Sequence, residues 1–288
     1  MTESHGALDL AGYFKRIGYQ SAEQSGGSDL DALRVLHRLH PQAIPFENLD
    51  VLLGRPVRID LASIQRKLVQ AGRGGYCFEH NLLFRHVLEL LGYTVRSYAA
   101  RVLWGHDASL GMPPRTHMFL LVEIHGERYL TDVGFGGMTL SAPLLLQTNL
   151  EQTTPHGVFR IQDSPFEAGA DRVGLPAFVL QVQLEDQWKP VYRFDLDPQY
   201  PVDYEMSNHF VSTYPNSLFV SNLLGARLAP GRRIGLFNRT LHIHDQQTGT
   251  HKRDLSDVQE LRSVLHGELG ITLPEASAGL DAALARLP

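Results

Sequence analysis

The sequence predicts an α+β protein built from three successive parts. Apolar residues recur every three or four positions in the first part, residues 1–93, which is the period of a helix. The period changes to two in residues 94–200, as in strands, and residues 201–288 mix both patterns. With 288 residues, 43% of them hydrophobic, the chain is long enough to bury a large core.

The first two helices are predicted from the spacing of their apolar residues. Those residues are Leu10, Phe14 and Ile17 in the first helix, and Leu30, Leu33, Leu36 and Leu39 in the second. Asp29 precedes the second stretch and is placed as its N-cap. A link at residues 40–56 follows, and its prolines and glycine predict turns.

Two further helices complete the first part. Asp60 is placed as the N-cap of a third helix, residues 61–70. The fourth helix begins near Cys77 and stops at Gly92, because a glycine commonly ends a helix.

Strand-like alternation begins at residues 94–103 and continues through the middle part. Residues 117–124 and 128–135 flank a short turn at residues 125–127, which predicts a hairpin. Later stretches with the same pattern are residues 157–162, 177–184 and 188–196. The simplest architecture for this part is a β-barrel or a β-sandwich.

The last part alternates between the two kinds of element. Residues 201–215 start with proline and have helical spacing. Strands with glycine turns are predicted at residues 217–229 and 240–255, and helices at residues 257–270 and 274–287.

Composition excludes several classes of function. The net charge is −5 and no run of like charges is present, so nucleic-acid and membrane partners are not expected. The expected partner is a small molecule. No apolar stretch approaches the roughly 20 residues that cross a bilayer. The first residues lack a secretion signal and one cysteine forms no internal disulfide, so we expect a cytoplasmic protein. The 14 histidines show no metal-ligand spacing, so no metal is expected.

The chain has one cysteine, Cys77, in the stretch RGGYCFEHN. It follows two glycines at the predicted start of a helix, where free N–H groups and the helix dipole favour a thiolate. The alternative is a small apolar residue in the core, because free cysteines are among the most buried residue types.

The predicted hairpin contains two residues that can serve a thiolate. His117 begins one strand and Asp132 lies near the end of the other. With the turn centred on Gly126, residues whose numbers add up to about 252 face each other, which places Asp132 within about one residue pair of His117. A bulge at Gly134 can change the face of the hairpin on which a side chain lies, so it is an assumption that His117 and Asp132 lie on the same face.

Nucleophilic acyl transfer needs three groups: a thiol, an imidazole that takes the proton of the thiol, and a carboxylate that holds the imidazole. The spacing therefore favours a catalytic role for Cys77, together with His117 and Asp132.

Five stretches together resemble the arylamine N-acetyltransferase family. They are YFKRIGY, IPFENLD, RGGYCFEHN, THMFLLV and DVGFG, and the similarity spans most of the chain. The resemblance implies a cysteine-protease-like core with three parts. An N-terminal helical bundle carries the nucleophile Cys77, a central β-barrel carries His117 and Asp132, and a C-terminal α/β lid completes the fold.

The chemistry that the resemblance implies is a two-step transfer. Acetyl-coenzyme A acylates Cys77 and coenzyme A leaves. An arylamine, arylhydrazine or N-hydroxyarylamine then takes the acetyl group on nitrogen. Acetyl-coenzyme A is the expected cosubstrate.

Aromatic residues are expected around the acceptor. Phe46, Phe135 and Phe219 match phenylalanines that the family places around its substrate cleft, although each is also an ordinary core residue type.

Three glycines after Asp132 are the candidates for a coenzyme A contact. They are Gly134, Gly136 and Gly137, and a β-bulge explains them equally well. Arg73 is either a contact for the pyrophosphate or a local structural anchor.

Two alternatives share these residues. A transglutaminase-like or cysteine-protease-like hydrolase has the same order of cysteine, histidine and aspartate and transfers the acyl group to water or lysine. A non-catalytic binding protein keeps the fold with Cys77 as a structural residue.

Overall fold

The computed structural model of the chain describes residues 7–20, 29–164, 176–274 and 278–288. Its first part is helical, as predicted. The helices are α1 (Leu10–Ile17), α2 (Asp29–Ala43), α3 (Leu49–Leu52), α4 (Leu61–Ile64) and α5 (Cys77–Leu90). A π-helical stretch, Gln65–Gln70, continues α4. Asp60 caps α4 as predicted, because its carboxylate accepts a hydrogen bond from the N–H of Ser63 at 2.9 Å.

Helix α2 differs from the prediction at both ends. Asp29 is its first residue rather than its cap, and Pro41 lies inside its last turn. The predicted link at residues 40–56 therefore begins inside the helix, and this boundary is wrong. Packing explains the difference: His37 and His40 are fully buried, so the face that docks on the core continues into the last turn despite the proline.

The middle part is an eight-stranded antiparallel sheet. Its strands are β2 (Thr94–Val102), β3 (Arg115–Ile124), β4 (Glu127–Thr131), β5 (Leu144–Leu145), β6 (Glu151–Thr154), β7 (Gly157–Asp163), β8 (Ala177–Leu184) and β9 (Gln187–Asp195). The spatial order is β5-β4-β3-β2-β9-β8-β7-β6.

The sheet curls until its two edge strands nearly meet. The side-chain amide of Gln152 on β6 both donates to and accepts from the main chain of Leu145 on β5, at 2.9 and 2.8 Å. Buried aromatic rings fill the interior, among them Phe119, Phe159 and Phe194. The middle part is therefore a nearly closed barrel rather than a sandwich.

The predicted hairpin is confirmed, but its register differs by one residue. His125 and Gly126 form a two-residue turn, both with positive φ, 52° and 82°. The turn is thus centred between these residues, and Leu120 faces Thr131. Because β4 ends at Thr131 rather than extending through residue 135, Asp132 lies beyond the last strand pair.

The last part contains a five-stranded sheet covered by helices. Its strands, in spatial order, are β1 (Phe46–Glu47), β10 (Leu224–Ala229), β11 (Arg232–Phe237), β12 (Thr240–Asp245) and β13 (Gly249–Asp254). The helices of the last part are α6 (Pro201–Thr213), α7 (Leu218–Ser221), α8 (Val258–Ser263), the π-helical Val264–Glu268 and α9 (Ala278–Ala285). Of these, α8, the π-helical stretch and α9 pack on the sheet. Strand β1 comes from the helical part, so the first and last parts share this sheet.

The predicted strand at residues 217–229 is wrong in its first half. Ser217 accepts a hydrogen bond from the N–H of Phe219 at 3.3 Å and starts helix α7, so the strand begins only at Leu224. Of the predicted helix at residues 274–287, Ala278–Ala285 is helical, and residues 275–277 lie outside the described residues.

The division at residues 93 and 200 stays a prediction, and both positions lie between elements. Within the described ranges, no helix has both the length and the apolar character needed to cross a membrane.

Candidate active site

Cys77 is the first residue of α5 and only 4% of it is exposed. Two glycines bring the chain to this point through close contacts. A Cβ on Gly74 would lie 2.1 Å from the carbonyl oxygen of Pro45, and one on Gly75 would lie 2.6 Å from the Glu79 carboxylate. Glu79 in turn accepts a hydrogen bond from the N–H of Tyr76 at 3.0 Å, which fixes the first turn of the helix.

Next to this turn lies the start of β3. The Cys77 sulfur is 3.7 Å from the carbonyl oxygen of Thr116, the residue before His117. The His117 ring reaches Asp132 with Nε2, 2.7 Å from the carboxylate oxygen Oδ2. The structure therefore brings together all three residues that the sequence predicts as a triad.

The electrostatics favour a positively charged imidazole. Burial alone lowers the pKa of His117, but the charge and hydrogen bond of Asp132, together with those of Cys77, raise it to about 10. Burial alone raises the pKa of Asp132, but His117, Asn81 and Gly134 outweigh it and leave the pKa lowered. A buried imidazolium–carboxylate pair is thus stable at neutral pH.

Asn81 joins the three elements that carry the triad and is not among the predicted site residues. It is fully buried one helical turn after Cys77. Its Nδ2 donates to Asp132 at 3.0 Å and to the carbonyl of Met118 at 2.8 Å, while its Oδ1 accepts from the N–H of Val133 at 3.2 Å. The spacing of four residues from Cys77 is the signal that could have identified it.

A second residue outside the predictions is Tyr192 on β9. Its ring centroid is 5.1 Å from that of His117, and its buried hydroxyl lies near the Asp132 carboxylate, although it makes no hydrogen bond of ordinary geometry to the described residues. Burial and the nearby Asp132 carboxylate raise its pKa well above the ordinary value, so the phenol is neutral.

The loop after Asp132 packs directly on the first turn of α5. The N–H of Gly134 donates to the Asp132 carboxylate at 3.0 Å. A Cβ on Gly134 would lie 2.8 Å from the Cβ of His80 and 3.1 Å from the Cα of Cys77. Only glycine lets these two backbones approach so closely.

Replacing Gly134 with alanine is expected to lower the free energy of unfolding by about 1–3 kcal/mol, because the added methyl group forces the loop away from α5. Gly137→Ala is the matched control, since a Cβ there meets nothing within 4 Å. Urea denaturation of both variants measures the difference. Equal stability of the two variants would show that the close contact is unimportant.

Among the predicted phenylalanines, Phe135 is nearest to the triad. It is half-buried and lies edge-on to His117, with ring centroids 5.1 Å apart. Phe46 is 8% exposed and packs 6.2 Å from Phe219, whose ring is 5.6 Å from that of Tyr76. Phe135 thus lies close to the triad, Phe219 lies close to the residue before Cys77, and Phe46 packs on Phe219. Contact of these rings with substrate stays a prediction.

The glycines predicted to contact coenzyme A differ in accessibility. Gly134 and Gly136 are buried, and a Cβ on Gly136 would lie 3.4 Å from the Phe46 ring. Gly137 is exposed. A coenzyme A contact through this loop stays a prediction, and Gly137 is the residue most open to it.

Arg73 lies in a buried network of charges rather than in an open cleft. Its guanidinium binds Glu47 at 2.8 Å and Asp50 at 3.1 Å, and Lys67 binds Asp50 at 2.7 Å and Glu79 at 2.8 Å. These partners satisfy the arginine, so the structure favours a local anchor over a phosphate contact.

The arrangement of Cys77, His117 and Asp132 can perform nucleophilic acyl transfer. It supplies a thiol, a proton acceptor and a carboxylate that orients that acceptor. In the described part of the chain, no group of three or more histidine, cysteine, aspartate or glutamate residues is placed to hold a metal ion.

Comparison with known proteins gives a consistent picture. A family model described as N-acetyltransferase matches residues 29–278. The arylamine N-acetyltransferase of Escherichia coli K12 is 41% identical over 268 residues, which are 93% of this chain and 90% of the relative. A Salmonella typhimurium relative, an arylamine N-acetyltransferase / N-hydroxyarylamine O-acetyltransferase, is 39% identical over 275 residues, 95% and 92% of the two chains.

Solved structures agree with this similarity. The structure of Mycobacterium marinum arylamine N-acetyltransferase in complex with CoA superimposes with a TM-score of 0.87 and 38% identity. The match covers 97% of this chain and 99% of that one.

Proposed function

The chain belongs to the arylamine N-acetyltransferase family, and from this premise we propose that it transfers an acetyl group from acetyl-coenzyme A to an arylamine through a thioester on Cys77. The enzyme is an acyltransferase, and acetyl-coenzyme A is its cosubstrate. The observation that carries the residue-level proposal is the position of His117. Its ring lies between the sulfur that starts α5 and a carboxylate 2.7 Å away.

In the first step the Cys77 thiolate attacks the carbonyl carbon of acetyl-coenzyme A. The bond from that carbon to the coenzyme A sulfur breaks, and the leaving thiolate takes the proton of the His117 imidazolium. Because a thioester is exchanged for another thioester, this step is close to energetically neutral. The neutral imidazole that remains stays oriented by Asp132.

In the second step the amine attacks the acetyl–cysteine thioester. His117 accepts the proton that the amine nitrogen loses, the carbon–sulfur bond breaks, and the Cys77 thiolate and the imidazolium are restored. Formation of the amide drives the reaction forward. The first-turn N–H groups of α5 are the nearest candidates to stabilise the oxyanion.

The choice of acceptor substrate depends on the basicity of the amine and on aromatic contacts. Anilines and arylhydrazines are unprotonated at neutral pH and can attack, whereas alkylamines are mostly protonated. Phe135 provides an apolar ring surface beside His117 for an aryl group, and Phe219, with Phe46 packed on it, provides a second beside Tyr76. The Salmonella relative is named an N-hydroxyarylamine O-acetyltransferase. For N-hydroxyarylamines we therefore propose that the acetyl group is transferred to oxygen rather than to nitrogen.

We propose that this reaction takes place in the cytoplasm, where the reducing conditions keep a free thiol reduced. The acceptor and acetyl-coenzyme A are the proposed partners.

The test is a donor and acceptor assay that measures release of coenzyme A thiol. We expect acetyl-coenzyme A with an arylamine or arylhydrazine to give turnover, and mass spectrometry without acceptor to show an acetyl group on Cys77. A peptide and a simple ester serve as controls for the hydrolase alternative. Hydrolysis of these controls without arylamine acetylation would overturn the proposal, and absence of any acyl–Cys77 adduct would favour the binding-protein alternative.

A further inference from the structure

A buried histidine of α2, His37, contacts the main chain of the triad aspartate. Its Nε2 lies 3.2 Å from the backbone nitrogen of Asp132. The side chain is 0% exposed, and its ring packs edge-on against Phe84 of α5, with centroids 6.0 Å apart. His37 thus reaches Asp132 from a helix that carries none of the triad residues.

The contact fixes the tautomer of His37. The N–H of Asp132 can only donate, so Nε2 must be the unprotonated acceptor and the ring proton must be on Nδ1. Nδ1 is buried and has no hydrogen-bond partner among the described residues. Burial lowers the pKa of His37 to about 4 although Asp132 opposes this shift, so the ring is neutral at physiological pH.

Asp132 needs this acceptor because of its place in the fold. Strand β4 ends at Thr131, so the N–H of Asp132 has no partner in the sheet. The carboxylate is held from the other side, by Asn81 and Gly134 on Oδ1 and by His117 on Oδ2. A buried N–H without an acceptor is costly, and the loop would move to find one.

We propose that His37 is a positioning residue for acetyl transfer, which holds the main chain of Asp132 so that its carboxylate meets His117. The proposal rests on the catalytic role given to these two residues under the proposed function. His37 touches neither substrate nor the reacting atoms and acts only through Asp132.

Two substitutions separate the effect of the Nε2 hydrogen-bond acceptor from the effect of the size of the His37 ring. His37→Leu keeps an apolar side chain of moderate size and removes the acceptor. His37→Gln keeps an acceptor oxygen close to the position of Nε2. The control is His40→Gln, which changes another fully buried histidine of α2, one that binds Tyr13 and His80 at 2.9 Å rather than Asp132.

Three measurements are made on each variant: the thermal midpoint of unfolding, the single-turnover rate of Cys77 acylation by acetyl-coenzyme A, and the pKa of His117 by NMR in the protein without substrate. We expect His37→Leu to acylate roughly tenfold to hundredfold more slowly, with a lower His117 pKa, since a small displacement of an orienting group has effects of this size. His37→Gln should recover most of both values, and His40→Gln should lower only the thermal midpoint.

The proposal is overturned if His37→Leu is folded and keeps the wild-type acylation rate and His117 pKa, or if His40→Gln lowers that pKa as much as His37→Leu does. The NMR titration needs no substrate, so it tests His37 even if the wild-type protein fails to acetylate arylamines. Such a failure would instead contradict the proposed function. If His37→Leu does not fold, His37→Phe takes its place, since it keeps a planar ring without the acceptor nitrogen. A wild-type acylation rate and His117 pKa in folded His37→Phe overturn the proposal.

Discussion

Replacing Cys77 with serine is expected to lower acetyl transfer by a factor on the order of 10⁴ or more, because the nucleophile and its partners act as a unit. A serine hydroxyl is far less acidic than a thiol, so it is not readily converted to the anion that attacks the acyl carbon. Folding should be little affected. Within the described residues, the polar contacts of Cys77 are with Thr116 and the His117 ring, and a hydroxyl can keep both.

The measurement is steady-state release of coenzyme A thiol, with mass spectrometry of the intact protein after exposure to acetyl-coenzyme A. Cys77→Ala sets the background without any nucleophile, and the thermal midpoint confirms that each variant is folded. We expect the serine variant to match the alanine variant and to show no acetyl adduct. Turnover by either variant within about tenfold of wild type would exclude the covalent mechanism.

The sequence was sufficient to predict that Cys77, His117 and Asp132 lie together, because each residue lies in a strong local pattern. Cys77 follows two glycines at a helix start, and His117 and Asp132 are brought together by a hairpin that a single positive-φ turn defines. Errors in element boundaries did not matter here. The register was displaced by one residue, yet His117 and Asp132 still meet, since Asp132 lies past the last strand pair and its loop sets its direction.

The supporting residues were not predictable in the same way. His37 lies in a stretch whose prolines predict the end of α2 three residues later, and its partner is a main-chain N–H, which has no residue type to detect. Asn81 likewise binds two main-chain groups besides Asp132. Contacts between a side chain and a distant backbone depend on the packing of helices against the barrel, and periodicity contains no information about that packing.

The role of the glycines was also only partly predictable from the sequence. Their presence beside Cys77 and Asp132 predicted sharp turns, but the structure gives close approach as the reason. Gly74 and Gly75 have no room for a Cβ beside Pro45 and Glu79, and Gly134 has none beside His80. The glycines therefore allow the helix start and the Asp132 loop to pack together, and this contact is what places the carboxylate within reach of His117.

Asp132→Asn is expected to reduce acetyl transfer by about 10³- to 10⁴-fold with little change in shape, because an amide keeps the size of the carboxylate but neither its charge nor its preference for the imidazolium. The variant should also change how His117 titrates. With Asp132 present the pKa of His117 is about 10; without that charge only Cys77 opposes the lowering effect of burial, and the pKa should fall well below 10.

The loss of stability in this variant should depend on pH in a defined direction. The raised pKa of His117 gives stability that is complete below about pH 6.5 and disappears as pH rises through about 10. The lowered pKa of Asp132 gives stability that is present above its ordinary pKa of 3.8 and is lost as pH falls further. The difference in unfolding free energy between wild type and Asp132→Asn should therefore be largest between about pH 3.8 and pH 6.5 and should shrink towards pH 10.

Asp195→Asn is the matched control, since Asp195 is also a buried carboxylate but pairs with Arg115 rather than with a histidine. It should lower stability while leaving the His117 pKa near 10 and acetyl transfer within about tenfold of wild type. Urea denaturation across this pH range, NMR titration of His117 and single-turnover acylation measure the three effects. If Asp132→Asn keeps a His117 pKa near 10, the carboxylate is not what holds the imidazolium, and the orienting role belongs to another group facing His117.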